Sequence, residues 1–226
     1  MTRNTPIDSA QLDVSVAGET LCLLADKALY WPKQKTLLVA DIHIGKAAAY
    51  RAQGQPVPHG TTRQNLARLD ALLGRHACQR LIFLGDFLHA RAAHAPLTLA
   101  ALHQWREQHA ELEIILIRGN HDRHAGDPPA SLNMQVVDEP FLLGPWALQH
   151  EPTVHPTHWV IAGHVHPVFA LRGRGRQRLR MPCFCLQPGL LLLPAFGEFT
   201  GGMLVAAESD RQIYGVADGH VWALNS

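Results

Sequence analysis

The chain has 226 residues, of which 47% are apolar, and a formal net charge of +1. Such a length and composition describe one large globular domain and exclude a disordered chain or a small disulfide-stapled scaffold. Near-neutral charge gives no global argument for nucleic acid, so that case has to be made locally.

The opening residues, Met1 to Ala10, are polar and lack a signal-peptide pattern. Leu12 to Leu24 reads as a hairpin turning at Ala17-Gly18-Glu19, because Val14, Val16, Leu21 and Leu23 alternate. Leu29-Tyr30-Trp31 reads as a strand ending at Pro32, and Thr36 to Ala40 as a buried strand. Gly45 to Gly54 is Ala-rich and reads as a short helix, interrupted by Pro56 and Pro58. Thr61 or Thr62 is placed to cap a helix carrying Leu66, Leu69, Leu72 and Leu73 at helical spacing. Arg80 to Leu84 is the next strand. Pro96 opens a helix with Leu99, Leu102 and Trp105 on one face, and Glu113 to Ile117 is an isoleucine-rich strand.

From Gln135 onward the pattern changes to short strands: 141–143, 146–148, 159–162, 167–171, 179–186, 189–193, 202–206, 212–216 and 221–224. Strand and helix alternate in the first half, and strands dominate the second. There is no internal repeat and no Gly/Ser-rich linker, so a single α+β domain spanning residues 1–226, with two sheets and flanking helices, is expected. No run approaches the roughly 18 apolar residues of a membrane span. The four cysteines, Cys22, Cys78, Cys183 and Cys185, contain no CxxC pair. They read as reduced thiols of a cytoplasmic protein.

Five apolar runs end in metal-ligand residues: Asp41-Ile42-His43, Gly85-Asp86, Gly119-Asn120-His121-Asp122, His150, and Gly163-His164-Val165-His166. In α/β sheets the strand ends are where ligands bind. In Asp-x-His and His-x-His the side chains sit at i and i+2, which share a face on an extended backbone. Asp41, Asp86, Asn120, His43, His150, His164 and His166 make seven oxygen and nitrogen donors with no thiolate. That is too many for one tetrahedral zinc and suits two divalent ions sharing a carboxylate. The imidazole content favours manganese, iron, zinc or nickel over magnesium or calcium, with manganese placed first.

These motifs, in this order, resemble the signature of calcineurin-like metallophosphoesterases. The resemblance implies a four-layer β-sandwich flanked by helices. It implies that Asp41, His43 and His166 hold a first metal, that Asn120, His150 and His164 hold a second, and that Asp86 bridges. His121 resembles the family's non-ligand catalytic histidine, with Asp122 as its orienting neighbour. A narrower likeness rests on Ala40-Asp41-Ile42-His43-Ile44-Gly45-Lys46, Gly85-Asp86-Phe87-Leu88-His89 and Leu193-Pro194-Ala195-Phe196-Gly197-Glu198-Phe199-Thr200-Gly201-Gly202. These are similar to the ligase-associated DNA damage response endonucleases of the PdeM type. That likeness implies a DNA repair setting with a DNA ligase, a helicase-like and a nuclease-like protein as functional associates.

The chemistry expected is phosphodiester hydrolysis by a metal-activated hydroxide, with His121 giving a proton to the leaving oxygen. Lys46, His89 and Arg91 follow the ligand loops and are candidates for phosphate contact. Arg172, Arg174, Arg176, Arg178 and Arg180 crowd one hairpin tip, a local basic patch suited to DNA phosphates or simply a solvated tip that discourages edge pairing. Two readings compete with a DNA nuclease: a hydrolase of small phosphoesters such as nucleotides, and a non-catalytic scaffold. A scaffold would tolerate gaps in the ligand set, and here the set is complete.

Overall fold

The structure, a computed structural model, describes residues 10–52, 54–56, 60–173, 177–198 and 200–224. Pro58, Arg174, Arg176 and Phe199 lie outside the described residues. The chain begins with β1 (Gln11–Val16) and β2 (Glu19–Leu24), an antiparallel pair. Their two-residue connection, Ala17-Gly18, has φ values of 52° and 77°, the doubly left-handed turn that matches strand twist. β3 (Ala28–Trp31) and β4 (Thr36–Val39) continue the antiparallel order. The chain then crosses over through α1 (Lys46–Ala52) and α2 (Thr61–His76) to β5 (Arg80–Leu84), and through α3 (Pro96–Gln108) to β6 (Glu113–Ile117). A short α4 (Asn120–Ala125) leads to β7 (Gln135–Val137). β4, β5, β6 and β7 are parallel, and the first sheet has the strand order β1-β2-β3-β4-β5-β6-β7.

A parallel sheet has to be covered on both faces. Leu37, Val39, Leu81, Phe83, Ile114 and Leu116 pack against Leu66, Leu69, Leu72 and Leu73 of α2 and Leu102 and Trp105 of α3. Each such leucine contributes about 1.5–3 kcal/mol by leaving water. The alternate residues, Leu38, Ile82, Leu84, Ile115 and Ile117, face the second sheet.

That sheet contains β8 (Phe141–Leu143), β9 (Trp146–Leu148), β10 (Trp159–Ala162), β11 (Pro167–Arg172), β12 (Arg178–Gln187), β13 (Leu190–Leu192), β14 (Met203–Leu204), β15 (Gln212–Ala217) and β16 (His220–Ala223). The path is β14-β11-β12-β13-β10-β9-β8, with β15 and β16 added beside β12. Trp146, Leu148, Ile161, Phe184, Leu191 and Leu193 fill the space between the sheets. Among the described residues the α-helices all fall between β4 and β7. On the outer face of the second sheet, Val205 packs with Cys183 and Ile213 in extended chain.

Three local readings need revision. α2 starts at Thr61 with Gly60 as its cap, and no side chain closes it. Only Met203–Leu204 of the 202–206 stretch pairs as strand, because Pro167 and Val168 offer it two partners. The residues after β6 do not remain extended: Asn120 begins α4, and Asp122 turns back to accept the Gly119 N–H at 3.0 Å. β4, β5, β6, β9 and β10 each end two or three residues before a ligand-type side chain, so the sandwich collects these residues at one rim.

Candidate metal centre

The backbone at this rim is not extended. Asp41, His43, Asp86, His164 and His166 all have positive φ, between 48° and 71°. The i and i+2 side chains converge because each loop reverses in left-handed conformation, not because strand alternation puts them on one face. Such conformations cost about 1–2 kcal/mol per residue for non-glycine side chains, and their concentration at one place marks a functional site.

Two clusters result. In the first, donor atoms of Asp41, His43 and His166 all lie within 4.8 Å of one another. His166 Nε2 is 3.3 Å from Asp41 Oδ1 and 3.4 Å from His43 Nε2. In the second, Asn120 Oδ1, His150 Nε2 and His164 Nδ1 lie 2.9–3.1 Å apart. Asp86 stands between them: Oδ2 is 3.8 Å from His43 Nε2, and Oδ1 is 3.4 Å from His150 Nε2. All seven donors expected from the sequence are therefore brought together.

The donor set fits metal on the structure's own terms. Asp41 Oδ1 is fully buried with no hydrogen-bond partner among the described residues, a costly state for a carboxylate oxygen unless a cation meets it. His150 donates its Nδ1–H to the Leu84 carbonyl at 3.0 Å, which leaves the Nε2 lone pair for a ligand. Burial pushes the His43 imidazole well below the ordinary histidine range, helped by Lys46, so the ring is neutral and able to coordinate. Burial pushes the Asp86 carboxyl up, and the nearby Asp41 charge adds to this. A cation shared at Asp86 would offset both effects.

Hydrogen bonds hold the loops. The His164 N–H donates to Asp41 Oδ2 at 2.9 Å, and the His121 N–H to Asp86 Oδ1 at 2.9 Å. Glu139, which carries no sequence signal, accepts the His150 N–H at 2.7 Å and the Glu151 N–H at 3.0 Å. Gly119 lies so close to the Asp86 carboxylate and main chain that a Cβ there would overlap both. Gly85 has a φ of 78°, and a Cβ there would enter the His150 ring.

His121 has a different orienting partner from the one expected. Its Nδ1 lies 2.9 Å from the His89 carbonyl, and its Nε2 faces Asp86 Oδ2 at 3.9 Å. Asp122 does not reach the ring. It is fully buried and accepts the N–H groups of Gly119, Phe87 and Leu88 at 3.0, 3.2 and 2.8 Å, tying the β5 and β6 loops together.

His89 stacks on His121 with ring centroids 4.7 Å apart, and its Nδ1 is 3.4 Å from His43 Nδ1. Burial, Lys46 and His121 push its ring down to about 4. Lys46 is buried beside the first cluster. Arg91 is exposed on a single 3₁₀ turn, Arg91–His94. Arg118 forks onto Asp127 through two 2.8 Å bonds and is structural. The four cysteines are free, and burial pushes Cys183 up to about 12 and Cys185 to about 11, so neither is a reactive thiol.

A two-sheet sandwich whose parallel strands deliver Asp-x-His, Gly-Asp, Gly-Asn-His-Asp and Gly-His-x-His to one rim defines a class. The chain belongs to the calcineurin-like phosphoesterases: a model of the Calcineurin-like phosphoesterase family matches residues 34–149. It is a metal-dependent phosphoesterase. The crystal structure of Pseudomonas putida nuclease MPE is similar over 95% of this chain and 100% of that chain, with 56% sequence identity and a TM-score of 0.85. The phosphoesterase Yfce from E. coli aligns over 84% of this chain and 99% of that chain at 14% identity, but a TM-score of 0.39 carries no argument. No curated protein matches the chain.

Proposed function

We propose that the chain is a dinuclear phosphodiesterase that cleaves DNA. The observation that carries the dinuclear reading is Asp86, whose two oxygens face two separate donor clusters, at 3.8 and 3.4 Å. Asp41, His43 and His166 would hold one ion, and Asn120, His150 and His164 the other. Two divalent ions at such a site supply Lewis acidity and a water acidic enough to ionise near neutral pH. Manganese is the first choice, since the donors mix imidazole, amide and carboxylate without thiolate.

The chain's own groups do the rest. Because a carbonyl oxygen can only accept, His121 carries its proton on Nδ1 when neutral and gains a second on Nε2 when charged. Nε2 is the atom that faces the site, so it is placed to give a proton to the departing oxygen. Asp122 fixes the two loops that carry Asp86 and His121.

DNA as substrate is supported by the similar nuclease from Pseudomonas putida and by the basic hairpin. β11 leaves directly from His166, and Arg178 and Arg180 of β12 alternate with Leu179. They share the strand face of Pro182 and Phe184, the inner face of the sheet. That face continues the cleft lined by His166, Val168 and Pro182. The narrower likeness to ligase-associated endonucleases supports a role in DNA repair beside a ligase and helicase.

A substrate panel tests the function. Purified protein with manganese is offered bis-p-nitrophenyl phosphate, p-nitrophenyl phosphate, and single- and double-stranded DNA. Cleavage of the diester and of DNA, abolished by EDTA, is expected. Hydrolysis of the monoester alone would overturn the reading.

A further inference from the structure

Lys46 opens α1, three residues after His43, and is 8% exposed. Lysine is almost never buried to this degree unless paired. Its ammonium makes no hydrogen bond and no ion pair among the described residues. The Tyr50 ring, one turn on, has its centroid 5.8 Å from Nζ and stands edge-on to His89 at 5.9 Å. Burial works against its charge, the carboxylates of Asp41 and Asp86 favour it, and the ammonium in turn disfavours charge on His43 and His89. Lys46 therefore lies at the donor clusters without being neutralised by them.

A lysine cannot be a metal ligand while charged, and Asp41 and Asp86 are already engaged by the clusters they serve. A buried ammonium next to two divalent ions is repelled unless an anion lies between them. We propose that Lys46 binds a non-bridging oxygen of the substrate's phosphoryl group, completing an oxyanion subsite with the first metal position. Lysine suits this job as a point charge with three donors. The assignment rests on the phosphoesterase reading above. It differs from a purely structural role, in which Lys46 would only balance the buried carboxylates.

The test compares wild type with Lys46→Met and Lys46→Arg. Each is loaded with manganese and titrated with inorganic phosphate while the melting temperature is followed, and bound manganese is counted separately. The assignment expects equal manganese in all three proteins and a phosphate affinity about tenfold or more weaker in Lys46→Met, partly restored in Lys46→Arg. KM for bis-p-nitrophenyl phosphate should rise in parallel. Phosphate binding by Lys46→Met equal to wild type would overturn the assignment alone, as would loss of manganese, which would mark a structural role. A wild type whose melting temperature ignores phosphate would overturn the assignment, while failure of that same protein to hydrolyse bis-p-nitrophenyl phosphate would overturn the phosphodiesterase reading separately.

Discussion

The His121 ring is held by the main chain of His89: Nδ1 lies 2.9 Å from that carbonyl oxygen, and the two rings stack at 4.7 Å. One ring nitrogen is committed to a backbone acceptor, and the other is free toward the metal site. His150 is anchored in the same way by the Leu84 carbonyl, so what sets His121 apart is that its Nε2 belongs to neither of the two clusters that Asp86 joins.

His121→Asn should therefore keep both metals and lose turnover by about 10²–10⁴-fold, the usual contribution of a positioned general acid. Metal content by elemental analysis and kcat on bis-p-nitrophenyl phosphate check this together. Loss of a metal equivalent would make His121 a ligand rather than an acid.

Gly85 is a point at which the fold and the second cluster cannot be separated. Its left-handed φ and the nearness of the His150 ring leave no room for a methyl group. Gly85→Ala should displace His150 and reduce bound manganese from two equivalents to one, with activity lost. Two retained equivalents would show that the loop yields at little cost.

Arg178 and Arg180 lie outside the donor clusters, and among the described residues Arg180 donates to the Gly202 carbonyl, at 3.2 Å. Changing both to alanine should weaken DNA binding and lower the salt slope of log Kd by about 1–2. Hydrolysis of bis-p-nitrophenyl phosphate should be unaffected. An unchanged salt slope would make the hairpin a solvated tip.

His76, at the end of α2, gives a pH dependence of stability away from the site. Its Nε2 is buried without a partner among the described residues, and its ring packs on Tyr30 with centroids 4.7 Å apart. Burial, and next Arg75, lower its pKa from the ordinary histidine value. The unfolded chain thus takes up this proton first, at about pH 6.5. The contribution is complete above that pH and shrinks as pH falls toward the lower folded value. In urea titrations, wild type should lose more stability between about pH 7.5 and 5 than His76→Phe, which keeps the ring packing. Equal losses would remove His76 from the account.

The seven candidate donors, which the structure brings together, could be picked out in the sequence because each follows an apolar strand, and strand ends are where ligands bind. The path by which they meet was not. Asp41-x-His43 and His164-x-His166 look like strand pairs, yet their left-handed φ values depend on bonds from distant segments, such as the His164 N–H to Asp41. Asp122 looked like the partner of His121 because it is adjacent. The turn of α4 instead sends its carboxylate back to Phe87, Leu88 and Gly119. Glu139 gave no signal, since it steadies His150 only through main-chain N–H groups 11 and 12 residues away. The strands of the sandwich were readable from β-branched and leucine runs. The joining of β7 to the first sheet was not, because a three-residue strand carries too little pattern to choose its neighbour.

The central claim is that Asp86 joins two metal positions. An anomalous difference map from a crystal grown with manganese tests it most directly. Two peaks about 3.5–4 Å apart are expected, one among Asp41, His43 and His166, the other among Asn120, His150 and His164, with Asp86 touching both. A single peak, or a second one that Asp86 does not reach, would contradict it.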